Sequence, residues 1–204
     1  MESKKEINNN GYDYVDLGLP SGTLWATCNV GADKPADYGL YFQWGDIKGY
    51  TKEQIGKVKQ FTWDDYKFNP SGDGYTFTKY ATKGETLDLE DDAANANMGG
   101  SWHMPSPDQI QELFDNTTTA WTTSDGVRGI LFTSKTVPSK SIFIPAAGFA
   151  HDGSIPSSGD YGYVWSSMLN EKVYNAECIM FDLSSVHLTD DSRRLGHSVR
   201  GVIG

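Results

Sequence analysis

The sequence predicts an α+β fold for this chain of 204 residues. Short runs of aromatic and β-branched residues alternate with Gly, Pro, Asp and Asn, which is the pattern of short strands joined by turns. Only two segments carry strong helix signals, and strands and helices do not alternate as they do in a parallel α/β sheet. Aromatic residues make up 13% of the chain, which is enough to build a sizeable hydrophobic core.

A flexible polar lead-in is expected over residues 1–11, followed by a single domain over residues 12–204. Residues 46–82 have a weak hydrophobic pattern and are interpreted as an irregular insertion in this domain, with a short exposed helix over Thr51–Lys59. The strands are predicted at Tyr12–Leu17, Leu24–Val30, Tyr41–Trp44, Val127–Ser134, Ser141–Ile144, Tyr161–Ser167, Asn175–Asp182, Ser185–Leu188 and Ser198–Ile203.

The first predicted helix covers Asp88–Asn97 and ends at Gly99 and Gly100, because glycine terminates helices. Its start holds the acidic cluster Asp88–Asp92, and a second acidic pair stands at Asp190–Asp191. The favoured interpretation of the first cluster is negative charge that complements the helix dipole. Calcium at either cluster is the alternative, although neither has the spacing of an EF-hand loop.

The second predicted helix begins after Ser106. Ser106 and Gln109 have the spacing of a capping box, and Pro107 occupies the first helical position, where its missing N–H costs nothing. The apolar residues that follow at helical spacing should form one buried stripe: Ile110, Leu113 and Phe114.

The charge balance argues against two classes of partner. Asp and Glu number 27 against 17 for Lys and Arg, which gives a net charge of −10. A nucleic-acid binder or an electrostatic membrane binder would instead present a basic face. No run of about 18 apolar residues could cross a membrane, and the first ten residues lack the apolar centre of a signal peptide.

Motifs for catalysis or metal binding are missing from the sequence. No Gly-x-Ser-x-Gly elbow or P-loop spacing occurs, and the histidines and cysteines do not have zinc-site spacing. Neither catalytic residues nor a cofactor or metal are therefore expected. Two unpaired thiols are favoured over a disulfide for the cysteines, Cys28 and Cys178.

An ordered series of motifs runs along most of the chain. It consists of YVDLGLPSGTLWATCNVGA at 14–32, YFQWG at 41–45, DDAA at 91–94, GSWHMPS at 100–106, IFIPAAG at 142–148, VWSS at 164–167 and GHSVR at 196–200. Over about residues 12–203, the chain resembles the Fibrobacter succinogenes major paralogous domain family, which is abundant in Bacteroidetes and their phages.

This resemblance implies a C-type lectin-like fold, in the subgroup similar to the formylglycine-generating enzyme. It implies a scaffold that displays a binding face near its C-terminus, as in the similar variable proteins of diversity-generating retroelements. Family members are mostly surface, lipoprotein or phage-tail proteins, so an extracellular, cell-surface or virion location is implied.

Two properties of related proteins are not carried over. The calcium-dependent sugar-binding triplets of true C-type lectins (Glu-Pro-Asn, Gln-Pro-Asp and Trp-Asn-Asp) are absent. The catalytic cysteine pair of the formylglycine-generating enzyme is also missing, because Cys28 lies near the wrong end of the chain and Cys178 stands alone.

The C-terminal region has the composition of a binding surface. Alternation predicts that Ile179, Phe181, Val186 and Leu188 face the core. The diverse side chains around them include types that often dominate interfaces. The candidate ligand-binding residues are Tyr174, Asn175, Glu177, Cys178, Met180, Asp182, Ser184, His187, Thr189, Asp190, Asp191, Arg193, Leu195 and His197.

The leading hypothesis is a non-catalytic module that recognises a protein or glycan on a cell surface through this region, in phage receptor binding or cell adhesion. One alternative is a structural module of a surface or virion assembly. A third, less favoured alternative is an oxidase-like enzyme of the formylglycine-generating subgroup. A homo-oligomer would fit such modules, although no heptad or apolar interface stripe indicates one.

Overall fold

The computed structural model describes residues 9–57 and 60–204. Over these ranges, the chain combines three small antiparallel sheets with a few short helices, which confirms the α+β prediction. Residues 1–8 of the expected lead-in and residues 58–59 of the helix expected over Thr51–Lys59 lie outside the described ranges.

The helices and strands are short and occur in a mixed order. In chain order, they are β1 (Tyr14–Asp16), β2 (Leu24–Ala26), α1 (Lys52–Ile55), a 3-10 turn (Leu89–Asp91), α2 (Ala93–Met98), α3 (Pro107–Asn116), β3 (Thr117–Ser124), β4 (Val127–Ser134), β5 (Ser141–Pro145), β6 (Gly162–Leu169), β7 (Asn175–Phe181), β8 (Val186–Ser192) and β9 (Val202–Ile203). The sheets have the orders β1-β2-β9, β3-β4-β5 and β6-β7-β8. Strand β2 pairs with both β1 and β9, so it joins the two ends of the described chain.

The start of α3 is as predicted. The Ser106 hydroxyl accepts a hydrogen bond from the Gln109 backbone N–H at 3.2 Å, and the Gln109 side chain accepts one from the Ser106 N–H at 2.9 Å. This capping box satisfies two of the backbone donors that a helix start leaves free. Ile110 and Leu113 are buried as expected, and the half-buried Phe114 stacks on Phe132.

The helix predicted over Asp88–Asn97 is divided in two. Asp92 has an extended backbone (φ −82°, ψ 113°) and therefore ends the 3-10 turn and caps α2. Its carboxylate accepts hydrogen bonds from the backbone N–H groups of Asn95 at 2.9 Å and Met104 at 2.8 Å. The second bond ties the start of α2 to the segment that leads into α3.

One strand prediction is wrong, and one strand of the structure was not predicted. The segment Tyr41–Trp44 is not part of a sheet, because its residues form isolated bridges from Tyr41 to Tyr50 and from Phe42 to His197. Strand β3 was not predicted, because its hydroxyl-rich sequence lacks a run of apolar residues and follows α3 without a turn. The prediction for β4 matches the structure from Val127 to Ser134.

The β6-β7-β8 sheet is packed on both faces. On one face, Val164, Ile179 and Phe181 join the core formed with α3 and β4. On the other face, Trp165 and Cys178 join a second core that includes aromatic residues of the 46–82 insertion. Because side chains alternate across a strand, one short sheet supplies both cores, which holds its backbone firmly.

The insertion packs into the main body of the molecule. Its residues Tyr66, Phe68 and Tyr80 lie in the same buried cluster as Trp44 and Trp165. Edge-to-face contacts connect Phe68 and Tyr80 at 5.3 Å and Trp44 and Tyr80 at 5.3 Å between ring centroids. Among the described helices, none has the length and apolar character that crossing a membrane requires.

Candidate functional site

The candidate site centres on a row of three side chains that crosses the β6-β7-β8 sheet. Tyr163 on β6 pairs with Met180 on β7, and Met180 pairs with His187 on β8. The His187 side chain is exposed, whereas Tyr163 and Met180 are half-buried. Adjacent strands lie about 5 Å apart, so these residues, here called the cross-strand row, span about 10 Å.

Strand alternation places the other predicted residues on two different faces. Thr189 and Asp191 lie on the same face as the cross-strand row, since they follow His187 at intervals of two residues. Asn175, Glu177 and Asp190 lie on the opposite face. The predicted set is therefore not one continuous surface.

Four of the predicted residues belong to the interior. Cys178, Arg193 and His197 have no exposed surface, and Leu195 is 7% exposed. Cys178 is covered because it faces the second core, and the other three lie in the segment after β8 that pairs with residues 42–44. These four side chains are too buried to contact a ligand directly in this arrangement.

His197 packs against the buried end of the cross-strand row. Its ring stacks on Trp165 with 3.8 Å between centroids and lies 4.9 Å from the ring of Tyr163. Its Nε2 lies 3.2 Å from a carboxylate oxygen of Asp191, but out of line for a hydrogen bond, and Nδ1 has no partner among the described residues. Burial lowers the pKa of His197, and the nearby Asp191 opposes this effect only in part.

Burial shifts the pKa of two groups next to His197, Asp191 and Tyr163, and His197 opposes this shift at Asp191. Burial raises the pKa of Asp191, but the contact with His197 and a bond from the Ser192 N–H outweigh it and hold that pKa below its ordinary value. Burial, followed by the negative charge of Asp191, raises the pKa of the Tyr163 phenol to about 12. Tyr163 therefore stays neutral and can donate a hydrogen bond at physiological pH.

Arg193 anchors the end of β8 to the insertion. Its guanidinium donates hydrogen bonds to the Tyr66 hydroxyl at 2.6 Å and to the backbone carbonyls of Tyr80 at 2.8 Å, Val173 at 2.8 Å and Lys79 at 3.2 Å. The guanidinium is buried among aromatic rings and has no carboxylate partner within the described ranges. Burial lowers the pKa of Arg193, and Tyr66 opposes this shift.

The turn between β7 and β8 is held in a fixed shape by Asp182. One of its carboxylate oxygens accepts bonds from the backbone N–H groups of Ser184 at 2.7 Å and Ser185 at 2.9 Å. These bonds lower the pKa of Asp182, so the group stays ionised. Leu183 at the tip is 74% exposed and was missed by the sequence reasoning, which counted only polar neighbours such as Ser184.

An exposed aromatic pair marks the opposite end of the sheet. The rings of Tyr75 and Tyr174 meet edge to face, with 6.3 Å between centroids. Tyr174 belongs to the predicted set and is 37% exposed, whereas Tyr75 comes from the insertion and is 77% exposed. The only feature of the sequence that could have pointed to Tyr75 is its position directly after the turn residues Gly72–Gly74.

A groove of about 360 Å³ lies beside the turn between β7 and β8. Its lining includes two aromatic residues, Trp121 and Tyr161, and the carboxylates Asp160 and Asp182. Arg128 also lines it and forms an ion pair with Asp160 at 3.1 Å. Aromatic faces beside fixed polar groups are typical of small-molecule subsites.

A small acidic patch lies on the opposite face of the sheet. Asn175 donates a hydrogen bond to Asp190, which stands directly across from Glu177. Burial is the main cause of the raised pKa of Glu177, and the negative charge of Asp190 adds to it. These side chains mainly satisfy one another.

The carboxylates of Asp88, Glu90 and Asp91 lie close enough together to hold a metal ion. The Lys79 ammonium already contacts all three, at 2.7, 2.9 and 2.5 Å. A second ammonium, from Lys67, contacts Asp91 at 2.7 Å. Lysine side chains thus supply the positive charge that a cation would bring.

The cysteines are both free thiols, and Cys28 is half-buried. Full burial raises the pKa of Cys178 well above its ordinary value, and Asp191 and Asp190 raise it further. Because the thiolate is the reactive form, Cys178 is poorly suited to thiol chemistry.

Comparison with known proteins gives no assignment. No protein-family model, curated protein or solved structure matches this chain. The family resemblance therefore stays a prediction, and function has to be inferred from the site itself.

Proposed function

We propose that this chain is a non-catalytic recognition module with a C-type lectin-like fold that binds a protein or glycan on a cell surface. The observation that carries the proposal is the cross-strand row, in which Tyr163, Met180 and His187 stand side by side on adjacent strands. An extracellular, cell-surface or virion location, including a phage tail, belongs to the same proposal.

The packing of the sheet supports recognition by a surface that is already ordered before a ligand binds. Buried cores on both faces and the stacked His197 fix the backbone below the row. A surface that is already ordered loses little conformational entropy on binding, so more of the contact energy appears as affinity. Recognition sites on rigid strands are also positioned more accurately than those on loops.

The chemistry of the row and its surroundings suits a large ligand. Tyrosine offers a flat ring with a polar tip, methionine adapts to irregular surfaces, and histidine donates or accepts hydrogen bonds. Exposed Leu183 and the Tyr75–Tyr174 pair extend the apolar area at the two ends of the sheet. The groove with Trp121 and Tyr161 adds a subsite where a sugar ring could stack.

The position of one histidine–carboxylate pair supports the non-catalytic part of the proposal. His197 and Asp191 form the only close histidine–carboxylate contact of the described residues, but the His197 ring is fully buried and stacked on Trp165. A general base must come within hydrogen-bonding reach of its substrate, which this ring cannot do.

A binding screen tests the proposal. The fluorescently labelled chain is incubated with a panel of bacterial cells and with a glycan array, with and without calcium. The site variant carries Tyr174→Ala, Met180→Ala and His187→Ala, and the control carries Val137→Ala and Lys140→Ala at the exposed turn before β5.

We expect binding that is lost in the site variant and kept in the control, at equal melting temperatures. Binding that survives the site variant would refute recognition through this face. A chain that binds no cell and no glycan would favour the alternative of a structural module in a surface or virion assembly.

A further inference from the structure

Strand β3 is a free edge of its sheet. In the part of the chain that the structure describes, β3 pairs with β4 alone. Its eight residues, TTTAWTTS, include neither a charge nor a proline. Natural proteins usually protect an edge strand with such residues, because its unpaired backbone groups can pair with another strand.

The turn after β3 fixes which backbone groups face outward. Asp125 and Gly126 both have positive φ angles (49° and 82°), as in the tight two-residue turn of a β-hairpin. The flanking pair Ser124 and Val127 then exchange hydrogen bonds, and every second pair along the hairpin does the same. The N–H and C=O groups of the alternate residues, at positions 119, 121 and 123, therefore point away from β4.

These outward groups are open to a partner. No backbone hydrogen bond from another segment of the described ranges reaches them. The side chains of Thr118, Thr119, Ala120 and Thr123 are exposed, although they point to both faces of the sheet. An element lying along this edge would have buried them.

We propose that β3 pairs with β3 of a second copy of this chain in an antiparallel arrangement centred on Trp121. This register places Thr119 opposite Thr123 of the second copy, and Trp121 opposite its counterpart. All outward-facing backbone groups then meet one another, and the sheets of the two copies become one. A two-fold rotation axis through the centre of the pairing maps one copy onto the other, as a symmetric dimer requires.

The side chains match in this register as well as the backbone. Threonine–threonine and aromatic–aromatic neighbours stabilise paired strands, whereas like charges placed opposite each other destabilise them. The chain carries a net charge of −10, yet this strip has no charged residue, so no like charges face each other within the pairing.

Two variants with substitutions at the same positions test the proposal. In Thr119→Lys/Thr123→Lys, positive charges face each other at both ends of the pairing. In Thr119→Lys/Thr123→Glu, each lysine faces a glutamate of the second copy. Sedimentation velocity and light scattering follow the mass of each variant and of the wild type from about 1 µM to about 500 µM.

We expect a wild-type dimer whose population rises with concentration. The lysine–lysine variant should dissociate at a concentration at least about tenfold higher than the lysine–glutamate variant. A wild-type monomer over the whole range would overturn the proposal. A dimer that is equally stable in both variants would also overturn it and place the contact elsewhere.

Amide hydrogen exchange on the wild type tests the same point without a substitution. The N–H groups of Thr119, Trp121 and Thr123 should exchange more slowly as concentration rises, whereas those of Thr118 and Thr122 should not change. Exchange at the three outward groups that is independent of concentration would contradict pairing through β3.

Discussion

Replacing Arg193 with methionine should destabilise the fold strongly, although the new side chain is apolar and of similar length. The guanidinium donates four hydrogen bonds, to the Tyr66 hydroxyl and to the carbonyls of Lys79, Tyr80 and Val173. It also lies 4.3 Å from the centroid of the Phe77 ring. Methionine would fill much of the space but leave these acceptors buried without a donor.

The size of the effect follows from these contacts. Each buried acceptor left without a partner costs about 1 kcal/mol or more, so four amount to about 4 kcal/mol. Because Arg193 has no carboxylate partner in the described chain, removing its buried charge recovers part of this cost, about 1 kcal/mol. We therefore expect Arg193→Met to lower the free energy of unfolding by about 3 kcal/mol, which corresponds to about 9 °C in Tm.

Urea denaturation followed by tryptophan fluorescence measures this change, with the m-value as a check on two-state unfolding. Arg128→Met is the matched control, because Arg128 is exposed and its ion pair with Asp160 should contribute less than about 1 kcal/mol. If Arg193→Met costs no more than this control, Arg193 does not anchor the insertion to the sheet.

Three further predictions concern pH, calcium and packing. Burial lowers the pKa of His197, so the unfolded chain binds more protons than the folded chain, and the free energy of unfolding falls as pH drops below about 6.5. Urea denaturation from pH 7.5 to 5 should show a smaller fall for His197→Gln than for the wild type, and an equal pH dependence of the two would contradict this. Calcium should raise the Tm of Lys79→Met, because the acidic cluster loses the ammonium that contacts all three of its carboxylates, and it should leave the Tm of the wild type unchanged. A rise in the wild-type Tm with calcium would instead indicate that the wild type binds calcium at this cluster. Gly162→Ala places a Cβ about 1.9 Å from the Phe181 ring and should lower the free energy of unfolding by about 2–3 kcal/mol, whereas the Cβ of Gly56→Ala has no atom within 4 Å and should leave it nearly unchanged in the same urea assay. A similar loss in both variants would argue against close packing at β6.

Local signals in the sequence were sufficient for the fold class and for several elements. The capping box at Ser106 and Gln109 depends on residues three positions apart, so it could be read without the tertiary structure. The same holds for the alternation of Ile179 and Phe181, which are both buried. Strand β3 escaped prediction because its pairing with β4, not an apolar pattern of its own, defines it.

The candidate site depends on contacts between distant segments, which explains why it was only partly predicted. Arg193 and His197 read as polar residues of an exposed hairpin, but the chain folds back after β8 and buries them against residues 42–44 and the insertion. The ring of Tyr75, which belongs to the insertion, contacts the ring of Tyr174, and Tyr163 on β6 pairs with Met180 on the adjacent strand β7. No spacing in a single sequence encodes such pairs.

Recognition through the cross-strand row is tested most directly by one substitution at its exposed end. His187→Glu places a charged side chain on the row, whereas Lys140→Glu adds at least as much negative charge at the exposed turn before β5, which belongs to another sheet. The measurement is equilibrium binding of each variant to the cells or glycans that the wild type binds. We expect His187→Glu to weaken the affinity by at least about tenfold and Lys140→Glu to leave it unchanged. Equal affinities of the two variants would contradict a binding site on this face.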